Sequence, residues 1–190
     1  MSVTEVIHDL YATPETVKDA VKRAKEDLAN NQVQQARAIM QDLASETDIH
    51  IANVPLATYP AAINTVVPLI DARKIEEAKG ALLMAIHTLV IETYVIPLPK
   101  IRAQAMLSEA DKLAGKNNRN EQENMELHNL IEASRQQIQL AEALGYGNKD
   151  SYKPLYAQLD DIKKKTEGGK SARGLFNRIH DSLKNFKFSV

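Results

Sequence analysis

Two stretches of the chain, DIHIANVPL at 48–56 and VIETYVIPL at 90–98, end in the same Pro-Leu pair and lie 42 positions apart. At that offset Val33 falls on Ile75, Ala36 on Ala78, Arg37 on Lys79, Val54 on Ile96, Pro55 on Pro97 and Leu56 on Leu98. Upstream, Thr16 meets Thr58, Ala20 meets Ala62, Val21 meets Ile63 and Leu28 meets Ile70. Conservative matches at one fixed spacing are the mark of an internal repeat, and a repeat obliges both copies to solve the same packing problem. The repeated unit reads as helix, turn, helix and extended tail, over about 14–56 and 57–98.

The first copy shows why. Thr13 is placed to cap, Pro14 occupies the first helical position where its missing N–H costs nothing, and Glu15 suits the positive end of the dipole. Val17, Ala20, Val21, Ala24 and Leu28 follow at helical spacing, Asn30-Asn31 breaks the pattern, and Val33, Ala36, Ile39, Met40 and Leu43 resume it. In the second copy Ala81–Ile86, Leu89 and Val90 leave almost no polar face. A helix apolar on all sides is expected to be central, in the domain or at a subunit interface. The two tails alternate in the manner of strands and are expected to pair as a short antiparallel ribbon, with Asn53 and Tyr94 near the middle of each.

From residue 99 onward the periodicity is helical to the end. One helix closes near Gly115, a long one runs from Glu121 to Leu144, another carries Leu155, Leu159 and Ile162, and the last holds Leu175, Phe176, Ile179, Leu183 and Phe186 on one face. At 190 residues, one domain is expected over 1–190. The fold class is mainly all-α: a helical bundle built on a duplicated helical hairpin, with a two-stranded ribbon.

Charge and composition then exclude several functions. The net charge is −1, so no field draws in nucleic acid or an anionic membrane, and no nucleic-acid partner is expected. The chain has no cysteine, which rules out disulfides, thiol catalysis and cysteine zinc sites. The longest mostly apolar run, Ala81–Ile91, is far short of the ~20 residues a membrane span needs. Met1–Glu5 offers neither a basic n-region nor an apolar h-region, so an exported protein would be represented here by its mature part.

Apparent active sites dissolve on inspection. Gly168-Gly169-Lys170-Ser171 ends like a phosphate loop, but the required first glycine is Lys164 and no strand leads in, so it reads as a linker. Gly145-Tyr146-Gly147 has Asp150 where a dinucleotide fingerprint needs its third glycine, and it reads as a helix cap. A di-iron bundle needs paired Glu-x-x-His, and only His8 has a glutamate, Glu5, three residues ahead. No Gly-x-Ser-x-Gly elbow is present. We therefore expect no enzyme, no cofactor and no metal.

The histidines are more suggestive. Protonating all five would move the net charge from −1 to +4. His50 and Glu92 occupy equivalent repeat positions, and His87 sits in the apolar helix, where charging would cost most. These three form the candidate pH switch, set against ordinary roles as a solvated His50 and a satisfied core His87. Tyr59 and Tyr94 are the candidate lining of a small-molecule pocket between the repeats. The C-terminal stripe Leu175, Phe176, Ile179, Leu183 and Phe186 is either a packing face or an exposed interaction surface.

Two strings, TDIHIANVPLATYPAAINTVVPLIDARKIEEAKGALLMAIHTLVIETYVIPLPKIRAQAML and ELHNLIEASRQQIQLAEALGYG, strongly resemble the YfdX family of enterobacterial proteins over roughly residues 14–165. The resemblance implies a helical protein of the periplasm, linked to stress and acid resistance and chaperone-like at low pH. It carries over no catalytic residue. The expected function is thus a non-enzymatic periplasmic stress protein, a pH-sensitive homo-oligomer (dimer or tetramer) with unfolded proteins as clients. The alternative is the small-molecule binding module.

Overall fold

The computed structural model describes residues 2–167 and 174–186. In chain order they form β1 (Ser2–His8), α1 (Pro14–Ala29), α2 (Val33–Gln41), β2 (Glu46–Asn53), α3 (Tyr59–Asn64) and α4 (Val67–Asp71). There follow α5 (Ile75–Ile86), β3 (Val90–Pro97), α6 (Leu98–Ala114), α7 (Glu121–Ala143), α8 (Tyr152–Thr166) and α9 (Asn177–Asn185). The protein is mainly helical, with one small antiparallel sheet in the order β1-β2-β3. The two tails do pair, as β2 and β3, but the ribbon is three-stranded, because SVTEVIH adds β1 to the other side of β2. The glycine-lysine linker at 168–171 lies outside the described residues.

The chain, expected from its length to make one domain, divides into two compact units. The larger comprises Ile7–Thr47 and Ile96–Val190. Its centre is the α6–α7 pair, with α1 and α8 against α7, α2 against α1, and α9 against α8 and α6. On α6 the buried positions are Ala103, Leu107, Ala110 and Ala114, and on α7 Leu127, Ile131, Ser134, Ile138 and Ala141. Both sets follow the i, i+4, i+7, i+11 rhythm of one helix face, and the alanines of α6 let the helices approach closely. Buried leucines and isoleucines each contribute roughly 1.5–3 kcal/mol.

Helix ends in this unit are closed by side chains. Thr13 Oγ1 accepts the Thr16 N–H at 3.2 Å ahead of α1. Asn120 and Glu123 form a reciprocal capping box ahead of α7. Arg119, only 6% exposed, donates to the carbonyls of Ala114 (3.0 Å) and Lys116 (3.3 Å) at the end of α6 and to Thr166 (3.3 Å) at the end of α8. A cation at two carbonyl-rich helix C-termini satisfies orphan acceptors and both dipoles at once.

The smaller unit comprises Met1–Val6 and Asp48–Val95. Here α3 and α4 pack on α5. The turn into α5 reproduces the turn between α1 and α2 at the 42-residue offset. Asn31 and Arg73 have φ of 59° and 55°. Gln32 donates to Asp27 O (2.8 Å) as Lys74 does to Leu69 O (2.9 Å). Where the first copy has the unbroken α1, the second has the short α3 and α4. A continuous helix would need the residue-68 amide to bond Asn64, and Pro68 has none.

One expectation about this unit is corrected. Helix α5 is not buried on several sides within the chain: it buries only Ala78 and Ala85, while Leu82, Leu83, Met84 and Ile86 are exposed, Met84 to 70%. The short α3 and α4 cover one face of α5 and are too small to cover more.

Candidate functional site

Of the candidate switch residues, His50 lies in β2, Glu92 in β3 and His87 at the end of α5. His50 Nδ1 and Thr93 Oγ1 are 2.9 Å apart, a cross-strand hydrogen bond. Glu92 instead accepts from its own strand, Tyr94 Oη at 3.3 Å. Because successive strand residues face opposite ways, the face that brings Thr93 to His50 turns Glu92 away. Although His50 and Glu92 hold equivalent repeat positions, the residue that His50 meets across the strands is Thr93. His87 is likewise not inside the apolar helix: it is the exposed C-cap residue of α5.

Of the candidate pocket residues, Tyr59 is half-buried at the start of α3 and Tyr94 is 52% exposed. Neither lines the principal grooves, which are built by other residues. One of these grooves, about 510 Å³, lies between α8 and α9 and is lined in part by Gln158, Asp161, Lys165 and Arg178. The C-terminal stripe is settled as packing. Phe176, Ile179 and Leu183 are wholly buried, Leu175 is half-buried, and the Phe186 ring sits 4.8 Å from that of Tyr152. An amphipathic helix with a bundle beside it buries its apolar face, so Phe176, Ile179 and Leu183 are packing residues, while the half-buried Leu175 and Phe186 border grooves at its edge.

The larger unit holds a polar network that the sequence did not announce. The Ser45 N–H donates to Tyr146 Oη at 3.0 Å, Leu98 N–H donates to Ser45 O at 2.9 Å, and Tyr152 Oη donates to the Tyr146 carbonyl. Residues flanking β2 and β3 are thereby fastened to the α7–α8 connection. Nearby, Tyr156 Oη donates to Glu142 at 2.6 Å, and Arg135 lies 5.8 Å from the Tyr156 ring while pairing with Asp160. Burial pushes the phenols of Tyr152 and Tyr156 well above their ordinary range, with Glu142 adding to both shifts. Both stay protonated donors at any physiological pH.

What the sequence pointed to only indirectly is the open apolar surface of the smaller unit. Val67, Ile70, Ile75, Leu82, Leu83, Met84, Ile86, Val90 and Ile91 are all exposed by 40% or more of their surface. Contiguous apolar patches beyond a few hundred Å² are rare on monomeric proteins and mark interaction sites. Among the described residues no three histidines or carboxylates gather as a metal cluster, and no helix is long and apolar enough to cross a membrane.

Fold and surface together define a helix-dominated protein with a small antiparallel sheet that leaves many apolar side chains of its smaller unit exposed. The YfdX protein family model matches residues 1–95, half of the chain, and the protein belongs to the YfdX family. The match spans the whole of the smaller unit and the α1–α2 hairpin. Comparison with curated proteins and with solved structures gave no match.

Proposed function

We propose that the protein is a non-enzymatic stress-response protein of the periplasm, a pH-sensitive homo-oligomer that shelters unfolded clients in acid. The observation that carries this reading is the exposed apolar surface of α4, α5 and β3, which is of the kind that binds a second copy or an unfolded chain. Membership of the YfdX family and the family's link with acid stress support it. Five histidines supply the charge change: their protonation raises the net charge from −1 to +4 before carboxylates titrate. As carboxylates are protonated at still lower pH the positive charge grows further, and that self-repulsion loosens an assembly and frees the surface that held it together.

The test is a sedimentation series from pH 7 to pH 3 run beside an aggregation assay on an acid-denatured client. The expected result is a change of oligomer size on acidification, with client protection appearing over the same pH interval. An unchanged size with no protection at any pH sinks the proposal.

A further inference from the structure

Helix α5 carries a feature its own chain does not explain. Gly80 lies in the helix interior, where glycine is costly relative to alanine, yet a Cβ placed there would meet no atom within 4 Å. Neither a turn nor a close neighbour within the chain calls for it. Residues Glu76, Gly80, Leu83 and His87 follow at i, i+4, i+7 and i+11, one helix face, and all four are exposed. Helical geometry continues through His87, whose N–H donates to Leu83 O at 3.0 Å. The buried residues Ala78 and Ala85 are on the other side of the helix.

We infer that this face is an isologous contact between two copies of the chain, in which two α5 helices cross antiparallel at Gly80. This rests on the homo-oligomer reading above and names its interface. The occupant is identified by self-complementarity. In an antiparallel pair centred between Ala81 and Leu82, Glu76 of one copy meets His87 of the other, and in the same register Leu83 meets Gly80. A two-fold axis through that point makes every contact twice, as a closed dimer requires. An acid and a base in register at opposite ends of one face are charge-complementary only to a second, reversed copy of that face. The glycine leaves a gap in the side-chain layer that a leucine fills, which permits close approach. Met84, beside this face, extends the apolar contact.

The Glu76–His87 pair also gives the contact a pH response. Glu76 Oε1 accepts from Lys79 at 2.8 Å within its own helix, and Oε2 has no partner among the described residues. Of the elements packed on α5, α3 brings the phenol of Tyr59 and α4 the carboxylate of Asp71. On α5 and its N-cap the charged groups are Lys74, Glu76, Glu77 and Lys79, and β3, which follows, carries Glu92. None of these is hydrogen-bonded to His87. A protonated imidazole facing a carboxylate strengthens the contact in mild acid, and protonation of carboxylates at lower pH removes it.

The experiment is sedimentation velocity on the full chain at pH 7.5, 5.5 and 3.5, for the wild type and for Gly80→Leu, Glu76→Lys, His87→Glu and the Glu76→Lys/His87→Glu double variant. Gly80→Leu is expected to weaken self-association by about tenfold or more through overpacking, while circular dichroism shows helix content kept or raised. Each single charge variant is expected to weaken it to a similar degree by setting like charges opposite, and the double variant to restore it. The wild type is expected to associate most tightly at pH 5.5. A wild type that self-associates equally with all four variants overturns this interface and leaves the oligomer reading standing. A wild type that is monomeric at every pH overturns both.

Discussion

Asp9 is held by a single nitrogen of Arg102 that reaches both carboxylate oxygens, at 2.9 and 2.8 Å, just after β1. That hydrogen bond keeps the Asp9 carboxyl below its ordinary range in the folded protein. A lowered folded-state value means that the pair's stabilisation is present above the unfolded carboxyl value of about 3.9 and is lost as pH falls through the lower folded one. Both side chains are partly exposed, so Asp9→Asn should cost no more than about 1 kcal/mol at pH 7. Urea denaturation at pH 7 and pH 3 should show that penalty shrinking in acid, the direction that a lowered native carboxyl sets. A penalty of equal size at both pH values would mean that Asp9 acts through packing and not charge. At this scale the sequence was least informative. His50 was singled out correctly as a strand residue, but its partner depended on a one-residue register that decides between Thr93 and Glu92. No periodicity carries that choice. The Ser45–Tyr146 bond joins residues 101 apart and left no local trace.

Elements were more legible, because their ends are written in local chemistry. Thr13-Pro14, Asn120 with Glu123, and Gly145 with φ of 86° each mark a boundary the structure keeps. The failures also have local causes. Pro68 split the helix that the repeat suggested, and β1 was passed over although Val3, Val6 and Ile7 are strand-forming residues. Arg119 shows how element ends are joined in three dimensions, since it serves α6 and α8 across 47 residues of sequence. Replacing it with methionine keeps much of the volume and orphans several buried carbonyls. The expected loss is about 3 kcal/mol, given roughly 1–3 kcal/mol for each buried polar group left unpaired and some relaxation. A drop in urea midpoint at unchanged m-value is the readout. A loss under about 1 kcal/mol would show that water takes over the carbonyls and that the guanidinium is dispensable.

At the scale of the whole molecule the helix-dominated class was readable from the pattern, and the distribution of stability was not. The second repeat copy is the more apolar of the two, yet less of its apolar surface is covered within the chain. In the larger unit, helices α6–α9 bring leucines, isoleucines and aromatic rings into one core. In the smaller unit the buried hydrophobic residues among those described are Val66, Ala78 and Ala85. Short side chains remove little surface from water, so the smaller unit gains little from burial within the chain. Local opening free energies follow such differences. Amides of α3–α5 should therefore exchange with solvent at least about tenfold faster than those of α6–α8 in dilute protein, a gap of about 1.4 kcal/mol or more. A second copy covering α5 binds the closed form alone, so its protection must rise with protein concentration while that of α6–α8 stays fixed. Hydrogen exchange read by mass spectrometry at two concentrations a hundredfold apart separates the cases. Equal protection of the two units in dilute protein would show that the smaller unit is stable without a partner. Faster exchange that ignores concentration would show a weak unit that no second copy covers.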